Sequence, residues 1–376
     1  MKLNNRRTVL IGFAFLSICA FWQLYDTVIP LILRDTFRIG DARAGQIMAL
    51  DNVLALFLLP WFGRLSDRCN SRMGRRMPFI VFGTIAAVEL MLVLTAMDAP
   101  GRFPAFFTVL LLLLVAMGSY RSPAVALMPD VTPKPLRSKG NAIINLMGAL
   151  GGVFTLGVTG FLVTRDAAGN EDYTRLFLAV SVLMAVAVVI LLCAIRENKL
   201  AGQVREINEK LDAESGEAVL DEKPEAGRSG FKALPPELRR SLILILVSVS
   251  LWFMGYNGVT TWFTTYVSAV MGQGLGGAST CLLIATGGAI VSYIPIGALA
   301  AKIGRKKTIQ LGIVLLAACF ALGYVLTTSF SSINAVMFLV FALVGLAWAA
   351  INVNSLPMVV EMCRGSDTGK FTGFYY

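Results

Sequence analysis

Apolar runs about 20 residues long recur along this chain, each enough to carry a helix across about 30 Å of hydrocarbon. No other feature constrains the fold as tightly. Inside a bilayer no water can satisfy a free backbone N–H or C=O, so such segments must be helical. The runs occupy residues 8–34, 43–63, 78–97, 104–128, 140–163, 174–195, 240–268, 277–301, 307–328 and 333–360, and another begins near Lys370. The first is too long for a signal-peptide core, and Leu31, Ile32, Leu33 and Arg34 at its end offer no small-residue cleavage site, so it is a retained span. Composition agrees. Of 376 residues, 56% are hydrophobic and 15% charged, whereas a soluble chain carries about 25% charged residues. The expectation is an all-α integral membrane protein.

The net charge of +10 is a topology signal rather than a nucleic-acid surface. Arg34, Arg38, Arg43, Arg102, Arg165 and Arg175 lie in one set of loops, Arg121 lies inside a span, and all the other Lys and Arg lie at the N-terminus or in the opposite loops. This asymmetry places the N-terminus in the cytoplasm of an inner or plasma membrane. The 6 Cys show no metal spacing and there is no His, so neither a metal site, a cofactor nor a structural disulfide is expected.

Residues 196–238 interrupt the pattern with a charged, proline-containing stretch. It reads as a cytoplasmic linker, with a short amphipathic helix over Val204 to Leu211 and flexible chain elsewhere. The linker separates residues 1–195, a six-helix bundle, from residues 239–376, a second bundle. The two resemble each other. Gly63 and Gly297, Asp130 and Glu361, Lys139 and Lys370, and Trp22 and Trp252 all stand about 230 positions apart, which argues for a duplicated unit. Continuing the repeat predicts twelve spans, with about 50 residues beyond Tyr376 and helix 11 cut off in this sequence.

The segment Gly63-Arg-Leu-Ser-Asp67-Arg68, followed by Gly74-Arg75-Arg76, resembles the cytoplasmic loop motif of the major facilitator superfamily. The string SDRCNSRMGRRMPFI, from Ser66 to Ile80, is similar to the same loop in the sucrose-transporter and glycoside–pentoside–hexuronide:cation symporter branch. That resemblance implies alternating access and cation-coupled sugar uptake by a monomer, with a proton the favoured ion and sodium the alternative. The sequence departs from the pattern in three places. Ala301 stands where the second-half loop would carry Asp, Leu59 rather than an acid precedes Pro60, and Arg121 lies about one turn earlier than the membrane Arg of plant sucrose carriers.

Charges inside spans are costly and mark pathways or partners. Asp26, Asp51 and Glu89 are the candidate proton-coupling acids, because without His any proton carrier must be a carboxyl. Asp26 is the first choice, with a structural ion pair to Arg121 as its alternative. Asp51 reads equally as a residue near the outer surface, and Glu89 as a packing hydrogen bond. Candidate substrate-binding residues are Trp22, Gln23, Tyr25, Arg121, Asn145, Tyr256, Asn257, Trp262, Asn352 and Asn354, since aromatics offer a flat apolar face and amides offer paired donors and acceptors to a neutral polyol. Candidate gate residues are Gly63, Asp67, Arg68, Gly74, Arg75, Arg76, Asp130 and Glu361. Asp67 can accept from Arg68 or from the N-terminus of another helix, whose dipole favours an anion. A carrier of an organic acid or drug and a non-transporting membrane sensor remain the alternatives. Neither an enzyme constellation nor a phosphate-binding loop is present.

Overall fold

The computed structural model describes residues 3–165, 171–215, 234–269, 271, 275–330, 332–363 and 367–376. Its helices are α1 (Asn5–Asp35), α2 (Asp41–Met48), α3 (Leu50–Arg68), α4 (Met77–Ala96), α5 (Phe103–Asp130), α6 (Arg137–Leu162), α7 (Thr174–Ala194), α8 (Glu197–Ser215), α9 (Pro236–Ala269), α10 (Leu275–Ile303), α11 (Arg305–Ser329), α12 (Ala335–Glu361) and α13 (Thr368–Tyr375). Among the described residues 10 helical spans are long and apolar enough to cross a membrane, and they coincide with the apolar runs. Starts are set locally. Asn4 and Asn334 accept from the N–H groups of Arg7 and Met337, and proline in the first turn opens α4 and α5, where its missing N–H costs nothing.

Three details differ from expectation. The second span is two helices, α2 and α3, meeting at Ala49, and α3 runs on to Arg68 so that Asp67 lies in its last turn. The linker carries a helix much longer than Val204–Leu211, because the whole stretch from Glu197 to Ser215 is helical; residues 216–233 lie outside the described set. A two-residue antiparallel ladder, Thr164 opposite Asp172 and Arg165 opposite Glu171, joins α6 to α7.

Helices α1 to α7 pack together as one half and α9 to α12 as another, with α13 packed on both. The halves meet where α3 crosses α13 and where α6 crosses α10 and α12. These crossings are close because they are made of glycine. A Cβ on Gly63 would strike the Gly369 carbonyl, one on Gly373 would strike the Leu59 backbone, and one on Gly297 would press on Ala142 and the Ser138 carbonyl. Large apolar side chains such as Leu56, Phe57, Phe82, Leu283 and Val291 are exposed on the periphery, as a lipid-facing surface requires.

Candidate substrate site and the closed basic end

The loops that carry the basic residues gather at one end of the bundle, called here the basic end. Arg76 is fully buried there, at the start of α4. Its guanidinium bonds Asp67 of α3 at 2.5 Å, Asp130 of α5 at 2.8 Å and the Ser66 hydroxyl at 2.5 Å. Arg75 adds a longer contact to Asp130, at 3.6 Å. An arginine out of water needs this, since one carboxylate alone leaves donors unsatisfied.

Asp67 has a second role. Its carboxylate accepts from the backbone N–H of Gly369 at 2.8 Å and of Lys370 at 2.9 Å, in the first turn of α13. Of the two partners expected for Asp67, the helix N-terminus is present. Arg68 points away and is exposed. Ser122 of α5 donates to the Gly369 carbonyl at 3.2 Å. In the second half Arg305 plays the part of Arg75 and Arg76. It pairs with Glu361 and reaches across to the Ser138 hydroxyl, at 2.6 Å, and the Lys134 carbonyl, at 2.5 Å. Hydrogen bonds between α1–α7 and α9–α13 gather from mid-span to this basic end.

Glu197, the first residue of α8, completes the arrangement. Its carboxylate accepts from the backbone N–H groups of Arg75, Arg76 and Met77 at 2.8–3.0 Å, and so caps α4. Gly74 makes room for it, with φ +124 and no Cβ to meet the carboxylate. Asn198 donates to the carbonyls of Ser71 and Arg72, and Asn208 accepts from the Lys134 N–H. Burial, reinforced by Asp130, raises the Glu197 pKa against the pull of those N–H bonds and Arg76. Sequence reading missed this residue because a linker acid looks solvated. The only signal was its place, the first acid after a span that ends beside the basic motif.

Within the α5 span, the Arg121 guanidinium lies between two aromatic faces, Trp22 of α1 and Tyr376 after α13, each 5.3 Å from the ring centroid. Among the described residues it has no ion pair within 4.0 Å. Asp26 and Asp51 act on it only at longer electrostatic range, so the expected alternative of an Asp26–Arg121 ion pair is absent. Asp51, not Asp26, lines a small cavity with Trp22, Leu58, Gly118 and Arg121. In the second half Trp252, Tyr256 and Trp348 form an aromatic cluster, Trp348 standing 4.8 Å from Trp252 and 4.0 Å from Tyr256. The indole N–H groups of Trp22 and Trp252, which the repeat relates, are both buried without a partner. Trp348 and Tyr376 were not anticipated, since an aromatic in an apolar run carries no mark of facing the centre.

Other expected residues have other surroundings. Tyr25 is buried and its hydroxyl donates to the Met48 carbonyl at 3.4 Å, bracing α1 against the end of α2. Gln23 donates to Thr27 on its own helix. Asn145 and Asn354 donate to carbonyls one turn earlier, and Asn354 is wholly buried. Asn257 is exposed on α9, and Asn352 is half-buried and offers its carbonyl to Asn141. The Trp262 side chain lies outside the described set. Glu89 is exposed on the outer face of α4, in register with Phe82 and Ile85 and away from the inter-half crossings. A cavity of about 280 Å³ between α9, α11 and α12 is lined by Phe263, Cys319, Phe320 and Phe341 without a charged group, off the axis between the halves.

The Major Facilitator Superfamily profile matches residues 11–376, nearly the whole chain. The chain belongs to the major facilitator superfamily. This is a family of membrane-spanning transporters and not of enzymes. The chain is 27% identical over 247 residues to the sucrose transport protein SUC4 of Arabidopsis thaliana, covering 59% of this chain and 48% of that protein. It is also 27% identical over 188 residues to proton-associated sugar transporter A of Homo sapiens, covering 46% and 25%. It thus spans about half or less of the curated relatives it matches. Among solved structures it superposes on the proton:xylose symporter XylE with a TM-score of 0.65 at 16% identity, over 99% of this chain and 85% of that one, a likeness of fold alone.

Proposed function

We propose that this major facilitator protein is a proton-coupled sugar carrier working by alternating access, with the basic end in the cytoplasm and a closed inner gate in the state described above. The observation that carries the reading is Arg121. A cation at mid-membrane, held by aromatic faces rather than carboxylates, keeps its N–H fork free for a ligand, and the flanking indole rings suit the apolar face of a sugar. The names of the sucrose and proton-associated relatives support the same solute class and ion.

In this mechanism sugar enters from the end opposite the basic loops. It stacks between the Trp22 and Trp252 clusters and accepts from Arg121. Asp51 and Asp26, when ionised, attract Arg121 only at longer range; a proton on either one weakens that pull and favours the hydrogen bond from the guanidinium to the sugar. Only the loaded, protonated centre then relaxes the contacts of Asp67 and Arg305 that hold the basic end shut. Two helical units, residues 1–195 and 239–376, rock about this centre, and the linker 196–238 ties them on the cytoplasmic side.

The test is uptake of radiolabelled sugars into vesicles under an imposed pH gradient or an imposed sodium gradient. Accumulation of a disaccharide under the proton gradient alone is the expected result. The same free guanidinium also favours a second reading, an organic acid whose carboxylate binds Arg121 bidentately. Accumulation of an organic acid and of no sugar under either gradient decides for that solute and retires the sugar.

A further inference from the structure

Pro357 stands inside α12 and has no N–H, so the carbonyl of Val353, four residues earlier, loses its helical donor. Such a carbonyl buried away from water must be satisfied from elsewhere or carry a desolvation cost. Val353 is fully buried. Its carbonyl is satisfied from the opposite half, by the Asn141 side-chain amide of α6 at 2.8 Å, which also reaches the Asn352 carbonyl at 3.2 Å. Asn141 is 1% exposed and its own Oδ1 has no partner. An amide that leaves its acceptor orphaned while spending its donors across the interface is placed for those donors.

We propose that Asn141 and the Pro357-vacated carbonyl of Val353 form a conformational latch between the halves, and that Asn141 is a positioning residue for the alternation proposed above. In the closed state Asn141 supplies the donor that Pro357 removed. When α6 and α12 separate at the basic end, the carbonyl and the amide each exchange this bond for water entering the opened cleft. The latch therefore favours closure without adding charge to mid-membrane, and it complements the charged contacts of Asp67 and Arg305 nearer the surface. A proline in α12 makes the closed state depend on one side chain of the other half.

The proposal makes a specific demand on a double-mutant cycle. Pro357→Ala restores an N–H at position 357, so Val353 can be satisfied within its own helix and Asn141 becomes dispensable. The reporter is native Cys363, buried in the cluster that also contains Leu127 and Val131 of the first half. The other Cys are replaced by Ser, the purified protein is placed in nanodiscs, and the rate of maleimide modification of Cys363 is followed. Asn141→Ala should raise that rate about fivefold with Pro357 present, the factor for losing a hydrogen bond of about 1 kcal/mol, and by less than about twofold in the Pro357→Ala background. Should Asn141→Ala not assemble, Asn141→Ser, too short to reach the carbonyl, carries the same expectation. An unchanged rate, or an equal rise in both backgrounds, overturns the latch. The readout needs no solute or proton gradient, so it succeeds or fails independently of the sugar assignment.

Discussion

Arg121 is the residue on which most depends. Arg121→Gln keeps donors but loses the charge and the stacking on Trp22 and Tyr376. Loss of one charged hydrogen bond is worth about 1.5–3 kcal/mol, so apparent solute affinity should fall about 10- to 150-fold in uptake assays. The carboxylates divide the coupling question between them. Because Asp51 shares the Arg121 cavity and Asp26 does not, Asp51→Asn should abolish accumulation driven by a pH gradient while leaving solute exchange. Asp26→Asn gives the same result if Asp26 is the carrier of the proton, and comparing the two in one vesicle assay assigns it. Glu89 provides the contrast: on the outer face of α4, Glu89→Leu should leave uptake within about twofold of the unmodified protein, since replacing an exposed group in an apolar register removes no partner.

At the scale of elements, closure of the basic end rests on helices that touch backbone to backbone. Gly369→Val would drive a side chain into the Gly63 carbonyl and the Arg76 guanidinium. A cysteine pair introduced across α3 and α13 should then lose most of its disulfide trapping, whereas Gly157→Val, in open surroundings, should leave trapping unchanged. Helix α8 acts on the same region from outside the membrane, through the three N–H groups that Glu197 caps. Glu197→Ala should lower stability in detergent by about 1–2 kcal/mol, the usual worth of a cap, read as a fall in melting temperature. Its pH dependence has a definite sign. A carboxyl whose pKa is raised in the folded state holds its proton more tightly there than in the unfolded chain, so its contribution grows as pH falls toward the ordinary carboxylate range and is lost as pH rises through the folded value. Glu197→Gln should flatten that slope above the ordinary carboxylate range.

At the scale of the whole molecule, the charged contacts gather at the basic end, with Arg76 buried between Asp67 and Asp130 and Asp67 shared with α13. Arg76→Ala takes the buried cation from between Asp67 and Asp130, and removing one partner of such a set costs about 3–5 kcal/mol. The expected outcome is a protein shifted to the opened basic end or lost from the membrane, seen as faster Cys363 modification or lower yield. The helical class, the apolar spans and the motif loop were legible in the sequence, because lipid permits only helices and because the motif is a local string of residues. Arg121 was legible because lipid excludes a lone charge, and Trp22 because Trp252 stands at the same spacing as the other paired landmarks. Which charges meet was not. Asp67 takes Arg76 and the first turn of α13 rather than its neighbour Arg68, and Glu197 leaves an apparently solvated linker to cap α4. Tyr376 and Asn141 acquire partners from the other half. Hydrophobicity is set residue by residue and can be read in one dimension, whereas a buried charge or an orphaned carbonyl is satisfied by whatever the packing of two halves brings within about 3 Å, and only the tertiary structure decides that.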